Sequence, residues 1–204
     1  MNENTSKPTV AVFDFDGTLT YRDSLVYFLF FTSGFLKTVF KLFILSPFLI
    51  SYFLGSSSRQ KTKERVLTKF FKEKSIEEIR RKGEEFAITR LNSLLRPDMF
   101  QRLKWHQEQG HRCVLVSANL DIYLEPWAFH NGFQDVITSR LEEIDGKVTG
   151  CLIGKNCWGP EKARRLQELL GSTKDYYLYV YGDSRGDHEM LALADNPFLV
   201  SLKR

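Results

Sequence analysis

Residues 9–15 form a short apolar run, rich in Val and Phe, that runs straight into Asp14, Asp16 and Gly17. A run of this kind is expected of a buried parallel strand that carries a functional loop at its C-terminal end. The next comparable run, 113–116, comes about ninety residues later. That interval is too long for one crossover helix, so most of it is expected to be an inserted helical segment.

Within the interval, Ser75 and Glu78 make a capping-box pattern that opens a helix to about Leu95, with Ile79, Phe86 and Leu94 on its apolar face. Pro97 opens a second helix, and Gly110 ends it and leads into a strand at 111–117. Beyond this the sequence predicts a helix at 120–132, a strand starting at 136–137, and a hairpin over 141–153 turning at Asp145-Gly146. A helix from Pro160 to Gly171, an aromatic strand at 177–181 and a short helix at 186–194 complete the pattern. Strands that alternate with helices predict an α/β fold, a doubly wound, Rossmann-like parallel sheet with an inserted α-helical cap. A chain of 204 residues is long enough for one such core plus a modest insertion. The expected division is a catalytic core of 1–21 and 97–204 and a helical cap of 22–96.

The segment 25–54 is almost continuously apolar and aromatic. Lys37 and Lys41 divide it into runs shorter than the ~20 residues of a spanning helix, and Pro47 is expected to interrupt the second run. Two readings stand side by side. Either the segment is the buried face of the cap, or it is a greasy surface for peripheral contact with a membrane or a lipid substrate, helped by Arg59, Lys61, Lys63 and Arg65.

A net charge of +4 slightly favours anionic partners without choosing among them. No zinc-ligand spacing and no interleaving of basic and aromatic residues points to nucleic acid. Cys113, Cys151 and Cys157 are odd in number and lack C-x-x-C spacing, which predicts a reduced, cytoplasmic location, peripheral at the inner face of the membrane if 25–54 docks there. Residues 1–8 are polar, so no cleaved secretory signal is expected.

Four chemistry-bearing elements follow in order: Asp14-Phe15-Asp16-Gly17-Thr18, Ser117-Ala118-Asn119, Lys162, and Gly182-Asp183-Ser184-Arg185-Gly186-Asp187. Each falls at a predicted strand end or helix start, and in an open parallel sheet those positions gather at one crevice. Four carboxylates together need a cation, and an all-oxygen ligand set suits Mg2+. Asp14 is then placed to attack phosphorus, and Asp16, just past the strand end, to protonate the leaving alcohol and later deprotonate water. Ser117 offers a hydrogen-bond donor, and Lys162 adds positive charge at a helix N-terminus. Cys157 has no His partner in the pattern, His188 on a short helix is expected to be structural, and Arg185 is expected either to touch substrate or to be solvated.

With D-x-D-G-T, a strand-terminal Ser, a Lys and G-D-S-x-x-D in this order, the chain resembles the haloacid dehalogenase superfamily hydrolases, in the phosphoserine phosphatase-like branch. The resemblance implies Asp14 as nucleophile and metal ligand, Asp16 as acid/base and ligand through its carbonyl, Asp183 as metal ligand and Asp187 as partner of metal-bound water. Ser117, Ala118, Asn119 and Lys162 become substrate binders. Phosphoserine phosphatases carry a Glu that binds the substrate ammonium where this chain has Asp23, and Ser-Gly-Gly where it has Ser117-Ala118-Asn119. The sequence also resembles the phosphatidylglycerophosphatase C-like subgroup, in which D-G-T-L leads into a long apolar cap start, here Gly17-Thr18-Leu19 into 25–54. That likeness implies a lipid phosphate substrate such as phosphatidylglycerophosphate. The alternatives are a small soluble ester such as phosphoserine, or a membrane-docked interaction protein with a degenerate site; intact Asp14, Asp16, Asp183 and Lys162 count against the last.

Overall fold

The computed structural model describes residues 7–201; of the N-terminal residues on which the secretory-signal expectation turns, 1–6 lie outside that range. The centre is a five-stranded, all-parallel sheet of β1 (Thr9–Phe13), β2 (Arg112–Leu120), β3 (Asp135–Ser139), β6 (Tyr177–Gly182) and β7 (Asn196–Leu199), in the order β3-β2-β1-β6-β7. β1 is the middle strand and is buried from Val10 to Phe13 because both its faces are apolar: Val10 and Val12 pack with Val114, Val116, Leu178 and Val180 on one side, Ala11 and Phe13 on the other. The doubly wound α/β expectation is met.

Between β1 and β2 lie α1 (Ser24–Ser33), α2 (Phe35–Phe53), α3 (Arg59–Phe71) and α4 (Ile76–Thr89), followed by α5 (Pro97–Glu108), which returns the chain to the sheet. α6 (Asp121–His130), α7 (Pro160–Leu170) and the short α8 (His188–Leu191) complete the helices, and β4 (Leu141–Ile144) with β5 (Lys147–Leu152) forms a separate antiparallel hairpin. Asp145 and Gly146, at φ 50 and 74, give that hairpin the expected primed turn. It docks on the inserted helices, where the N–H groups of Glu73 and Ile76 donate to Val148 O and Gly146 O.

Two expectations are corrected, and one strand is new. The helix expected from Ser75 to Leu95 ends at Thr89 and gives way to a 3-10 turn, Leu91–Leu94. α2 runs unbroken through Pro47: the proline has no N–H for the carbonyl of Phe43, and Ser46 Oγ donates to that oxygen at 2.7 Å instead. β7 had no counterpart in the sequence reading, since Asn-Pro-Phe-Leu is short and does not alternate. As a sheet edge it tolerates Pro197, where a central strand would not.

Below the sheet, His106 of α5 is fully buried, with Nδ1 2.8 Å from His111 Nδ1 and Nε2 2.8 Å from Tyr181 Oη. Burial, with His111 and Arg102 adding, pushes its pKa down to about 4 from an ordinary 6.5. A histidine held neutral in the folded state stabilises fully above its unfolded pKa, and that contribution is lost as pH falls from about 6.5 toward 4. Its size is about 3 kcal/mol. Because the buried carboxyls with raised pKa values gain stability as pH falls and are common to both proteins, the readout is the difference in urea midpoint: His106→Gln should gain on the wild type as pH falls through this window, and a difference that does not change with pH would refute the assignment.

Candidate active site

The ladder between β1 and β6 extends one residue beyond β1, as the Asp14 N–H donates to Tyr181 O at 2.9 Å. This fixes the Asp14 backbone at the C-terminal edge of the sheet. Its side chain is buried, and Oδ1 accepts from Lys162 Nζ at 2.5 Å. Lys162 sits in the first turn of α7, where Pro160 starts the helix, and its ammonium also donates to Asp187 Oδ1 at 2.7 Å. The other oxygen of Asp187 accepts from the backbone N–H groups of Asp183 and Ser184 and from the Ser184 hydroxyl. The loop after β6 is thus folded around one buried carboxylate, which in turn holds the lysine beside Asp14.

One carboxylate oxygen from each of Asp14, Asp183 and Asp187 lies within 4.8 Å of the others. Three carboxylates face one ammonium, and the ionisation of Asp14 and Asp183 suffers accordingly. Burial pushes Asp14 up to about 7, against the pull of Lys162 and helped by Asp187. Burial and Asp187 raise Asp183 to about 6. Burial also works against the charge on Lys162, but Asp14 and Asp187 outweigh it and keep the lysine protonated. The uncompensated negative charge and the hard oxygen donors fit a divalent cation such as Mg2+. Gly17 makes room for this cluster: its φ is +88, and a Cβ there would lie 2.2 Å from Asp183 Oδ2.

Asp16 faces a different set of partners. Its oxygens accept from the Ser24 N–H at 2.5 Å and from Asn119 Nδ2 at 2.6 Å, while burial and the neighbouring Asp23 push its pKa up to about 8. Its carboxylate is therefore outside the cluster of Asp14, Asp183 and Asp187. Asn119 is the hub here, since the same Nδ2 reaches Asp23 Oδ1 and Ser24 Oγ, each at 3.3 Å. Ser117 Oγ accepts from the Asn119 N–H at 3.1 Å. Ser117, Ala118 and Asn119 lie in the final residues of β2, where its register with β3 shifts between Val116 and Leu120; such irregularities re-aim side chains at sheet rims.

Lys63 is a site residue that the motif reading passed over. From α3 its ammonium donates to the Ala118 carbonyl and approaches Asn119 Oδ1 and Asn156 Oδ1 at 3.3 and 3.5 Å, pinning an inserted helix to the end of β2 that carries Ser117. Burial lowers its pKa to about 8, although Asp23 and Asp16 pull the other way. A helical wheel would have found it, because Lys63 shares the inner face of α3 with Val66, Leu67 and Phe70, whereas Lys61, Arg65 and Lys69 point outward. Cys157 is buried, and burial holds its thiol at about 11, so it is no nucleophile. Arg185 and His188 are exposed.

A cavity of about 650 Å³ opens over these groups. Asp16, Gly17 and Asp183 form its polar end, with Lys63 and Asn119 beside them. Leu25, Val26 and Leu29 of α1, Leu42 and Leu49 of α2 and Val66 of α3 make its apolar wall, and Arg22, Asp23 and Arg59 are also at its lining. A polar group bound at the carboxylates would have an apolar chamber beside it.

The haloacid dehalogenase-like hydrolase family pattern matches residues 11–192. Protein CicA of Caulobacter vibrioides is 37% identical over 191 residues, covering 93% of this chain and 84% of that protein. A protein of unknown function from Bordetella pertussis Tohama I has a similar structure, with a TM-score of 0.78 and 24% identity over 92% of this chain and 87% of its own. A phospho-aspartyl intermediate analogue of phosphoserine phosphatase superposes with a TM-score of 0.61 and 19% identity, over 93% and 84% of the two chains. With the family pattern running from β1 through α8 and taking in every motif that borders the cavity, this chain belongs to the haloacid dehalogenase-like hydrolases.

Proposed function

We propose that this hydrolase is a Mg2+-dependent phosphomonoesterase that works through an aspartyl-phosphate on Asp14, with residues 22–96 acting as a cap over a core of 1–21 and 97–204. The observation that carries the reading is the buried Asp14, bonded to Lys162 within a cluster of carboxylates beside a cavity. That a phosphoserine phosphatase of the same fold is captured as a phospho-aspartyl analogue supports it.

Asp14, the Asp16 carbonyl and Asp183 would hold the ion, with Asp187 as partner. When bound, Mg2+ supplies positive charge between the nucleophile and the phosphate and stabilises charge on the transferring group. The chain's own residues do the rest. Asp14 attacks phosphorus as the ester oxygen departs, and Asp16, whose side chain borders the cavity, gives that oxygen a proton. Lys162 binds both the nucleophile and a phosphoryl oxygen, and Asp187 fixes the lysine in place. Ser117 and the 118–119 backbone bind the remaining oxygens. Water then enters where the alcohol left, Asp16 takes its proton, and the Asp14–phosphoryl bond is broken to release phosphate.

The substrate class we favour is a lipid phosphate such as phosphatidylglycerophosphate, because the chamber beside Asp16 is walled by Leu25, Leu29, Leu42 and Leu49. A soluble ester such as phosphoserine is the second reading, supported by the likeness to phosphoserine phosphatases. Asp23 argues against it, since it caps α1 through the Leu25 N–H and is one methylene shorter than the Glu of that branch. Three free cysteines fit the cytoplasm as the compartment.

Phosphate release from phosphatidylglycerophosphate, phosphatidate, phosphoserine and sugar phosphates, with Mg2+ and with chelator, tests the reading. The expected result is Mg2+-dependent turnover that favours the lipids. Preference for a soluble ester would overturn the substrate class alone, and turnover indifferent to chelation would overturn the metal dependence.

A further inference from the structure

The outer face of α2 has no part in the chemistry above. At 3.6 residues per turn, Leu36, Phe40, Phe43, Pro47 and Ile50 form one stripe that Leu54 continues. All are exposed, Leu36 to 81% and Phe43 to 74%. Leu42, Leu45, Leu49 and Tyr52 lie on the opposite side, where Leu45 is buried and the other three line the cavity. α2 is therefore apolar on two sides, one used by the protein and one open to its surroundings. A contiguous exposed patch of large side chains like this is rare on a soluble monomer and marks a docking surface.

The charges beside the stripe indicate what docks. Residues 24–58 contain no Asp or Glu and two lysines, Lys37 and Lys41. α3 packs along α2, with Lys41 over the Phe70 ring at 4.7 Å and the Arg65 guanidinium over Phe48 at 4.2 Å. On the outer side of α3, Lys61, Arg65, Lys69 and Lys72 make an exposed row of cations. An apolar stripe with a cationic row beside it is complementary to a bilayer with anionic headgroups. A second copy of the chain would instead bring two such rows onto one interface.

We propose that α2 lies in the plane of an anionic bilayer, with its outer stripe among the acyl chains and the α3 cations at the headgroups. By length and composition Phe35–Tyr52 could cross a membrane. Its inner side, however, is committed to the protein, so the helix lies along the surface. Because the cavity is on the other side of the same helix, docking holds the site about one helix diameter, ~10 Å, from the lipid. That last consequence rests on the lipid-phosphatase reading; the docking does not.

The test is co-sedimentation of the full chain with vesicles of phosphatidylcholine alone and of phosphatidylcholine mixed with phosphatidylglycerol. The variants are Phe40→Glu/Phe43→Glu and Arg65→Glu/Lys69→Glu, neither of which touches the cavity. Wild-type protein should bind the anionic vesicles about tenfold or more better than the zwitterionic ones, and each double variant should lose about as much. Turnover of a soluble phosphoester should be unchanged in both. Equal binding by wild type and the Phe40→Glu/Phe43→Glu variant would overturn the proposal, and so would a wild-type dimer that this variant dissociates. Failure to bind with full esterase activity sinks docking and leaves the phosphatase reading intact. Binding without activity on any phosphate ester does the reverse.

Discussion

Replacing Asp14 by Asn should abolish Mg2+-dependent phosphate release on every substrate, by about 10⁴-fold or more, as removal of a covalent nucleophile does elsewhere. The change is nearly isosteric, so the 2.9 Å bond from the residue 14 N–H to Tyr181 O should survive. The protein should therefore remain folded. An amide cannot form the acyl phosphate, yet it still accepts a hydrogen bond from Lys162. Removing a charge from a crowded cluster should leave stability in the absence of metal unchanged or slightly raised, since burial and Asp187 both oppose ionisation of Asp14. Rapid-quench labelling with a phosphorus-labelled substrate provides the second readout: wild type should trap label on protein and Asp14→Asn should not. A variant that turns over at the wild-type rate would overturn the mechanism.

The second large effect is expected at Lys162. Lys162→Met removes the cation that contacts both Asp14 and Asp187 and leaves two buried carboxylates facing each other. Breaking a buried pair from one side costs about 3 kcal/mol at neutral pH, and losing a donor to the transferring phosphoryl group costs on the order of 10²–10³ in rate. The two losses should respond differently to conditions. Mg2+ should recover much of the stability, because it neutralises the same carboxylates, but it should not restore the rate. Acid should also narrow the stability gap, since Asp14, whose pKa burial already raises, then takes up a proton. Urea midpoints of both proteins with and without Mg2+, alongside initial rates, check this. A variant as stable as wild type without metal would mean that the observed pairing carries no net stabilisation.

The core of the fold could be read from the chain because its signals are local. An apolar run with both faces buried can only be an inner strand, and Asp145-Gly146 can make only a tight turn of one hand. Pro160 and Gly171 bracket α7 in the structure as they do in the sequence. The carboxylate set could be read for a related reason: residues at the C-terminal ends of parallel strands must gather at one edge, so Asp14 and Asp183 meet although β1 and β6 are far apart in the chain. Where local signals were weak, the sequence reading fell short. Pro47 predicts a break, and a single serine hydroxyl removes the need for one. Asn-Pro-Phe-Leu becomes a strand only because β6 offers an open edge. Lys63 looked like one of several surface cations until α3 acquired an inside and an outside.

By itself, the sequence determined the layer architecture, the family to which the chain belongs and three of the four carboxylates expected to gather, since these follow from periodicity and from the order of motifs along the chain; the Asp16 carboxylate turns instead to Ser24 and Asn119. Only the tertiary structure decided which side of the apolar segment is exposed, which partner each carboxylate takes, and that the cavity joins a polar end to an apolar chamber. A helix that is apolar all round carries no periodic signal of its orientation. Hydrogen bonds such as Lys162 to Asp14 or Asn119 to Asp16 join residues more than a hundred positions apart. Those relations exist only once packing has chosen the neighbours.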